Sequence, residues 1–462
     1  MTRGQAPLRG AGLCKQTLRM ASRLLDIRSG EAYRVGVVAF LLFFLIAANT
    51  LIKILRDSIF LGQHSVSELP YLYILVAFLA GVIIATYTKY TANLSLIRVI
   101  IATNAIIISN VVFFWIVLTY FDPGWSHYAF YIWSAIVNAV AVAQLWTLAN
   151  HIFTPEEGKR SFGILTAGGT IGGVAAAFGV KWSLHLSLES NHLLWCTGVL
   201  YTAASVLVFA AERRLKETIY KRDFGTGQKP AEARASSIRQ LLARSAHLKL
   251  IAAVILVSVV VSTMIDFQFK TSAKEIYASR QALAGFFSSY YGWLSVATFF
   301  AQIVLTGKIL TVFGLRPGLY VTPGALLTGS LAIMIWPSLL AAALTRMADA
   351  SLRNSIHRSS MEIVYMALPA QATKTIKTFL DVVVERTGDA IAGFIILLYS
   401  LFSLNAYVAY VHFICVALIF VWILLTPLLR MGYEKARAKL EASGVPDSSH
   451  SCDSSLSSSS QS

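Results

Sequence analysis

Twelve long runs of apolar residues constrain this chain more than any other feature. Each run is about 20 residues long and holds few charges, which is what a helix needs to cross a hydrocarbon core roughly 30 Å thick. The runs do not alternate polar and apolar residues, so we expect helices and not barrel strands. They centre near residues 38–53, 71–86, 97–118, 128–148, 164–182, 194–210, 250–266, 286–305, 319–336, 339–352, 380–401 and 407–425.

Composition supports the same class of protein. Hydrophobic residues make up 56% of the 462 residues and charged residues only 13%, more apolar surface than a soluble protein of this size could shield from water. We therefore predict an all-α membrane protein with twelve transmembrane helices in two six-helix bundles. The predicted parts are a basic N-terminal tail at 1–34, the first bundle at 35–211, a basic linker at 212–245, the second bundle at 246–428 and a disordered Ser-rich tail at 429–462.

The placement of Lys and Arg predicts the orientation of the chain. Residues 1–34 carry seven basic and two acidic residues, and residues 212–245 carry nine and four. Connections on the opposite side, such as 62–70 and 121–127, lack Lys and Arg. Because positive loops stay in the cytoplasm, both termini are predicted to be cytoplasmic. The net charge of +16 is mostly this topology signal, so we expect no nucleic-acid partner.

Other chemistry finds little support in the sequence. The four cysteines, Cys14, Cys196, Cys415 and Cys452, are scattered without metal-ligand or disulfide spacing. No nucleophile–base set is apparent, so we predict no catalytic residues, no metal, no cofactor and no enzymatic activity. The basic N-terminus could be an organellar transit peptide, but a cytosolic tail is the preferred interpretation.

The two halves of the chain echo each other. At an offset of 215 residues, Lys159 aligns with Lys374 and Gly173 with Gly388. Six spans, a basic loop and six more spans are typical of a duplicated transporter, which binds its substrate between two bundles near the bilayer midplane and alternates access by rocking. A membrane scaffold or sensor is the alternative, with the loop at 212–245 as a docking surface.

Charged residues lie inside the first span of each half. An ionisable group at mid-membrane costs roughly 2.5–3.5 kcal/mol, so it needs a partner or a function. Asn49, Lys53 and Arg56 lie at i, i+4 and i+7 on one helical face, and Asp57 follows Lys53 by four. An outward-snorkelling anchor is the alternative for Arg56.

The seventh span repeats this arrangement of charges. Asp266 and Lys270 are four residues apart at the corresponding place in the second half. The match between the two halves is more specific than either pair alone, and surplus cations in a central cavity suit an anionic substrate. Charge cannot distinguish a phosphate ester from a dicarboxylate.

The tenth and eleventh spans are charged as well. In the tenth, Arg346 and Asp349 lie deep and Arg353 near the cytosolic end. In the eleventh, acids recur on one face with an arginine beside them. We favour structural pairing or gating for these acids over proton relay. The residues in the eleventh span are Asp381, Glu385, Arg386 and Asp389.

Glycines follow the fourth span in the stretch 146–173, where Gly168 and Gly172, then Gly169 and Gly173, are each spaced by four. No phosphate-loop motif is present, so we predict a helix-packing seam that Ala176 and Ala177 extend. Before it, Pro155 marks either the end of the fourth span or the first turn of the next element. The charged residues around it are predicted to form a short cytosolic connection whose charge pairs could lock one conformation, with an ordinary solvated loop as the alternative. These charged residues are Glu156, Glu157, Lys159 and Arg160.

Four stretches together resemble one known family, the ATP/ADP antiporters of plastids and intracellular bacteria, which are major-facilitator-like. They are LIKILRDS in the first span, LWTLANHIFTPEEGKR after the fourth, MIDFQFK in the seventh, and MEIVYMALPAQATKTIKTFLDVVVERTGDA before and within the eleventh. They are in register across both halves, from about Ala48 to Gly393. The resemblance implies exchange of nucleotides, typically ATP for ADP, by a monomeric carrier in a bacterial inner membrane.

The resemblance also implies which residues matter. The important charges of the family fall on Arg56, Glu157, Asp266 and Lys377, and Lys53, Asp57 and Lys270 align with charged positions. This chain departs from the family where Lys53 and Arg56 exchange order, where Asp266 replaces Glu, and where Thr375 replaces a lysine. The missing cation puts the affinity for polyphosphates in question.

Our hypothesis assigns two groups of residues. Lys53, Arg56 and Lys270 hold phosphate oxygens, and Asp57 and Asp266 occupy those cations when the site is empty. Asn49, Arg346 and Asp349 complete the substrate-binding set, which is predicted to lie between the two bundles. Membrane lipid is expected to surround the protein. Aromatic residues of the eighth span, Tyr290, Tyr291 and Trp293, could stack on a base, although such residues more often face lipid or core. The gating residues are Glu157, Lys159, Arg160, Lys377, Glu385 and Arg386. A proton-coupled carrier of another organic anion is the alternative, served by Asp349, Glu385 and Asp389.

Overall fold

The computed structural model describes residues 31–91, 94–186, 190–223, 245–302, 315–365, 376–377, 379–402 and 407–442. All secondary structure in these ranges is helical. Thirteen α-helices are described: α1 (Ala32–Gln63), α2 (Leu69–Thr91), α3 (Leu96–Ile116), α4 (Gly124–Ile152), α5 (Pro155–His185), α6 (Leu193–Asp223), α7 (Ala246–Ile276), α8 (Arg280–Phe300), α9 (Leu315–Ile335), α10 (Leu339–Leu352), α11 (Arg358–Tyr365), α12 (Glu385–Phe402) and α13 (Tyr407–Ala442).

Nine stretches in the described ranges are long and apolar enough to cross a membrane. They coincide with the first to seventh, the ninth and the twelfth predicted spans, which establishes a multi-pass, all-α membrane protein. The other three predicted spans coincide with α8, α10 and α12. These helices are shorter or more polar than the nine stretches above. Helix α10 has only 14 residues, and α12 begins with the polar sequence ERTGD.

Contacts divide the chain into two compact units. Unit 1 comprises Met1–Gln63, Ile83–Gly227 and Ala278–Phe299, and unit 2 comprises His64–Val82, Gln228–Tyr277 and Phe300–Ser462. Unit 1 thus contains α8 from the second half of the sequence, and unit 2 contains most of α2 from the first half. This exchange of the second helix of each half is not apparent in the sequence.

Helix α1 forms the centre of unit 1, where α5 packs against it along the predicted glycine seam. A Cβ atom at Gly172 would lie 2.3 Å from the carbonyl oxygen of Phe43, and one at Gly168 would lie 2.7 Å from that of Ala39. Only glycine permits so close an approach of two helix backbones. The prediction of a packing seam is therefore confirmed.

Helix α7 has the corresponding place in unit 2 and packs against α10, α12 and α13. Most of its residues are buried, including Lys270. Gly388 of α12 meets α7 closely, since a Cβ atom there would lie 2.8 Å from a side-chain carbon of Val259. Lys270 of α7 is therefore enclosed by neighbouring helices.

The predicted connection around Pro155 is wrong, because these residues form the first turns of α5. Thr154 caps the helix, since its side chain accepts from the backbone N–H of Glu157 while Glu157 accepts from the backbone N–H of Thr154. Pro155 occupies the first helical position, where its missing N–H costs nothing. This capping box leaves only Phe153 and Thr154 between α4 and α5.

Two helices extend past predicted boundaries. Helix α6 runs to Asp223, into the predicted linker, and α13 runs to Ala442, so the first part of the predicted disordered tail is helical instead. The sequence after Leu429 is rich in helix-forming residues. Arg430 and Glu434 add an ion pair at i, i+4, with Nε 2.8 Å from Oε1.

Candidate functional site

The first charged cluster lies in unit 1, towards the end of α1. Arg56 donates two parallel hydrogen bonds to Asp57, from Nε to Oδ1 at 2.8 Å and from Nη2 to Oδ2 at 3.1 Å. Tyr291 of α8 donates its hydroxyl to Oδ2 of the same carboxylate at 2.7 Å. The side chain of Asp57 is fully buried, so its charge depends on these charge-assisted bonds.

The guanidinium of Arg56 has a second contact. Its central carbon lies 4.8 Å from the ring centroid of Tyr131 in α4, which favours a cation over the face of an aromatic ring. Arg56 therefore lies within the helix bundle of unit 1 and is not an anchor that snorkels outward. The ring of Tyr131 and the carboxylate of Asp57 fix its orientation.

The remaining predicted residues of α1 lie one and two turns earlier. Asn49 is buried and its side-chain oxygen accepts a 2.9 Å hydrogen bond from the hydroxyl of Tyr201 in α6. Lys53 is partly buried, one turn after Asn49 and one turn before Asp57. The polar stripe predicted from the spacing is thus directed into unit 1 at Asn49 and Asp57.

The second charged cluster lies in unit 2 and centres on Asp266 of α7. Lys270 Nζ lies 2.8 Å from Oδ2 of Asp266, and Arg346 Nη2 of α10 lies 3.1 Å from Oδ1. Tyr73 of α2 donates its hydroxyl to Oδ2 at 3.0 Å. Only 1% of the Lys270 side chain is exposed, so this lysine depends on the carboxylate for its charged form.

Asp349 extends this cluster along α10. Its Oδ2 accepts from Arg346 Nη1 and from the hydroxyl of Ser262, each at 2.5 Å, and its Oδ1 accepts from Arg353 Nη2 at 3.1 Å. Arg353 also donates to the carbonyl oxygen of Ser258 at 2.8 Å. A continuous chain of ion pairs therefore runs from Lys270 to Arg353, with three cations and two carboxylates.

A third group of charges lies on α12 and contacts α7. Arg386 Nη1 is 2.9 Å from Oδ2 of Asp389, and the hydroxyl of Thr263 donates to Oδ1 at 2.8 Å. Glu385 precedes Arg386 and is partly buried. Asp389 thus pairs within its own helix and with α7, which supports the preference for structural pairing over proton relay.

Two further ion pairs hold predicted gating residues. Arg34 Nη2 at the start of α1 lies 2.9 Å from Oε1 of Glu157, and Arg34 Nη1 donates to the carbonyl oxygen of Ile152. Lys377 pairs with Glu362 of α11. Lys159 and Arg160 follow Glu157 within α5. Asp381 lies in a π-helical turn at Leu380–Val384, and Lys374 and Thr375 lie outside the described residues.

The structure therefore separates the predicted site residues into clusters. Arg56 and Asp57 meet in unit 1, whereas Asp266, Lys270, Arg346 and Asp349 meet in unit 2. Sequence reasoning missed Tyr73 and Arg34, because a single tyrosine or arginine at a helix start has no distinguishing pattern. Arg353 was visible from its i+7 spacing to Arg346 but was not included in the substrate-binding set. Tyr291 was considered only as a stacking residue.

An apolar groove in unit 1 does not suit an anion. Its volume is about 620 Å³, and Phe44, Val111, Trp195 and Val206 are among the lining residues. The hydroxyl of Thr202 also lines it but is bonded to the carbonyl oxygen of Gly198 at 2.8 Å. Since phosphate needs charged or free polar donors, the charged clusters are better candidates for the substrate site.

Solved structures define the class of fold. The nucleoside transporter NupG matches with a TM-score of 0.60 and 11% identity, over 87% of this chain and 98% of that chain. An inward-facing, unoccupied bacterial homologue of the human lysosomal transporter Spinster matches with a TM-score of 0.53 and 13% identity, over 89% and 98%. The chain thus has the fold of these major-facilitator-like transporters.

Sequence comparison identifies the family. The profile of the TLC ATP/ADP transporter family matches residues 113–433, which is more than half of the chain. This protein belongs to that family, as the resemblance of its motifs indicated. The family is one of transporters, so the expectation that the chain is not an enzyme agrees with its membership.

Individual relatives are distant. ADP,ATP carrier protein 1 of Chlamydia muridarum (strain MoPn / Nigg) is 23% identical over 338 residues, covering 65% of this chain and 64% of the relative. ADP,ATP carrier protein 1 of Chlamydia pneumoniae is 22% identical over 340 residues, covering 65% and 66%. The alignment therefore spans less than two thirds of the length of either relative.

Proposed function

We propose that this protein exchanges nucleotides of the ATP/ADP type, or related phosphorylated anions, across a membrane by alternating access. The observation that carries the proposal is the chain of ion pairs from Lys270 to Arg353, where three cations share two carboxylates inside membrane helices. Burying ions is costly and adds little stability by itself. An anionic ligand explains best why membrane helices hold more cations than carboxylates in this chain of ion pairs.

The chemistry of the cations fits phosphate. The planar fork of Arg56 can bind two phosphate oxygens at once, and the ammonium groups of Lys53 and Lys270 act as point charges. Arg346, Asn49 and Asp349 complete the binding set. The names of the Chlamydia carriers favour a nucleotide as the phosphate-bearing ligand.

The carboxylates give a reason for exchange. Asp57 pairs with Arg56, and Asp266 pairs with Lys270. A phosphate group that binds these cations displaces the carboxylates and rearranges the pairs. An empty carrier keeps its pairs closed and reorients poorly, because a ligand shifts a conformational equilibrium only by its differential affinity for the two states.

The gating residues act through charge pairs outside the binding set. Glu157 pairs with Arg34, and Lys377 pairs with Glu362. Arg386 is held by Asp389. We propose that Lys159, Arg160 and Glu385 join this set, and that these pairs exchange partners when access alternates.

The proposed arrangement in the membrane has twelve spans in two six-helix bundles, at 35–211 and 246–428, with both termini in the cytoplasm. The excess of Lys and Arg at 1–34 and 212–245 supports this orientation. We propose that the protein works as a monomer in a bacterial inner membrane.

Counterflow tests the proposed function. Liposomes containing the purified protein are loaded with ATP, ADP, AMP or no nucleotide, and uptake of labelled external ATP is measured. We expect uptake when ATP or ADP is inside and little when the lumen is empty. Net uptake driven by a pH gradient without internal substrate would instead favour a proton-coupled carrier. A protein that shows neither uptake nor a thermal shift with phosphorylated metabolites would favour the scaffold.

A further inference from the structure

Two tyrosines donate to the two carboxylates that hold the proposed substrate-binding cations. Tyr291 of α8 donates to Asp57 of α1 at 2.7 Å, and Tyr73 of α2 donates to Asp266 of α7 at 3.0 Å. In each pair the acid comes from the first helix of one sequence half and the tyrosine from the second helix of the other half.

The bonding of the two carboxylates is similar at one oxygen. In Asp57, Oδ2 accepts from both Tyr291 and Arg56 Nη2, while Oδ1 accepts from Arg56 Nε. In Asp266, Oδ2 is bonded by both Tyr73 and Lys270 Nζ, while Oδ1 faces Arg346. One oxygen in each acid is therefore shared between a cation and a tyrosine.

Close backbone packing holds each tyrosine helix in place. A Cβ atom at Gly62, near the end of α1, would lie 2.8 Å from the Cβ of Arg280 at the start of α8. A Cβ atom at Gly393 in α12 would lie 2.9 Å from the carbonyl oxygen of Pro70, three residues before Tyr73. Both hydrogen bonds are thus made by helices fixed near the short connections at 64–68 and 277–279.

We propose that Tyr73 and Tyr291 are matched positioning residues, a pair of latches that hold the first helix of each sequence half against the second helix of the other half. Each latch lies within one compact unit and joins helices from different halves of the sequence. If the two proposed six-helix bundles rock against each other, both latches must break. The proposal rests on the proposed function for its link to substrate, but the latch itself does not require transport to be observed.

The shared oxygen explains how occupancy controls the latch. While Arg56 and Lys270 remain on the acids, they fix the orientation of the oxygen that each tyrosine meets. A phosphate group that draws these cations away removes the contacts that orient each shared oxygen, which weakens the tyrosine bonds. The latches are therefore strongest while the acids keep these cations.

The test uses tyrosine variants that keep the ring and remove the hydroxyl. Tyr73→Phe, Tyr291→Phe and the double variant are compared with Tyr87→Phe. In that control the lost hydroxyl accepts a 2.7 Å bond from Gln144 of the same sequence half. Gln144 keeps its second bond, to the hydroxyl of Thr103 at 2.8 Å, so the control should fold normally.

The first readout is reactivity of a cysteine with a water-soluble maleimide in substrate-free protein. Native cysteines are removed and Ser295→Cys is introduced one turn after Tyr291, where Ser295 donates to the carbonyl oxygen of that residue. We expect each latch variant to raise the labelling rate about threefold or more. The free energy of one membrane hydrogen bond to a charged group corresponds to at least about that factor in the population of the unlatched state. The double variant should exceed both, and Tyr87→Phe should match the wild type.

The second readout is the ratio of net efflux to exchange in liposomes, which we expect to rise in the latch variants because the empty carrier reorients more easily. Unchanged labelling in both single variants would overturn the latch, whatever the transport result. Raised labelling in a protein that exchanges no nucleotide would support the latch and refute the proposed function.

Discussion

Arg346 joins Asp266 to Asp349, with Nη2 3.1 Å from the first carboxylate and Nη1 2.5 Å from the second. This one guanidinium links α10 to α7 and connects Lys270 to Arg353 through alternating charges. A buried ion is tolerated only when its charge and hydrogen bonds are satisfied. Rearranging any one pair therefore disturbs the whole chain, which is the property that a ligand-controlled carrier requires.

Neutralising the proposed phosphate-binding lysines should abolish exchange. Lys270→Gln and Lys53→Gln each remove a cation from the binding set. Asp266 keeps Arg346 and Tyr73 as partners in Lys270→Gln, so the protein should still fold and insert. We expect counterflow of ATP to fall to the level of empty liposomes in both variants.

The matched control for this experiment is Lys249→Gln, at an exposed position near the start of the same helix, α7. It should exchange at the rate of the wild type. Normal counterflow in both Lys53→Gln and Lys270→Gln would refute the assignment of these cations to the substrate.

Asp349→Asn should destabilise the protein strongly. The carboxylate is fully buried and bonded by Arg346, Arg353 and Ser262. Asn has nearly the same shape but removes the ion-pair partner of Arg353 and leaves Arg346 with Asp266 alone. Breaking a buried pair in this way costs about 3–5 kcal/mol. Thermal unfolding in detergent should show a large fall in Tm.

The control for Asp349 is Glu434→Gln, which breaks the exposed pair with Arg430. Exposed i, i+4 pairs contribute about 0.3–0.5 kcal/mol, so its Tm should barely change. Equal Tm values for the two variants would show that the ion-pair chain has no role in stability.

Gly172→Ala should destabilise unit 1, whereas Gly179→Ala in the same helix should not. The new methyl group at Gly172 would meet the backbone oxygen of Phe43 at 2.3 Å, and no atom lies within 4 Å of the corresponding position at Gly179. Overpacking costs about 1–3 kcal/mol, while Gly→Ala in an open helix gains up to about 1 kcal/mol. Opposite shifts in Tm are expected, and a rise for both would contradict the seam.

Hydropathy and helical spacing predicted much of the fold. The spans and the glycine seam follow from composition and periodicity, because a membrane requires long helices and close packing requires small residues. The loop predicted around Pro155 was wrong because the Thr154–Glu157 capping box was not recognised. The exchange of α2 and α8 between units depends on tertiary packing, which leaves no periodic signal.

The candidate site was predicted only in part. Pairs within one helix, such as Asp266 with Lys270, follow from i, i+4 spacing. Bonds between helices, such as Tyr73 with Asp266 or Arg34 with Glu157, bring together residues far apart in sequence. No spacing rule relates them, so only the three-dimensional structure reveals them.

Arg34 and Glu157 should be energetically coupled, in addition to the helix cap that Glu157 provides. Oε1 of Glu157 pairs with Arg34, while Oε2 of Glu157 accepts a hydrogen bond from the backbone N–H of Thr154. Glu157→Gln should retain the cap and lose the ion pair, since Gln also suits this position of a capping box. Glu157→Ala should lose both and unfold at a lower temperature than Glu157→Gln.

A double-mutant cycle with Arg34→Ala isolates the ion pair from the cap. Both side chains are mostly buried, so we expect a coupling energy of about 1 kcal/mol, above that of an exposed pair. The same cycle on Arg430 and Glu434 provides the exposed comparison. Additive effects of Arg34→Ala and Glu157→Ala would mean that the 2.9 Å contact does not hold the start of α1 against the α4–α5 turn, and Glu157 would then act through its cap alone.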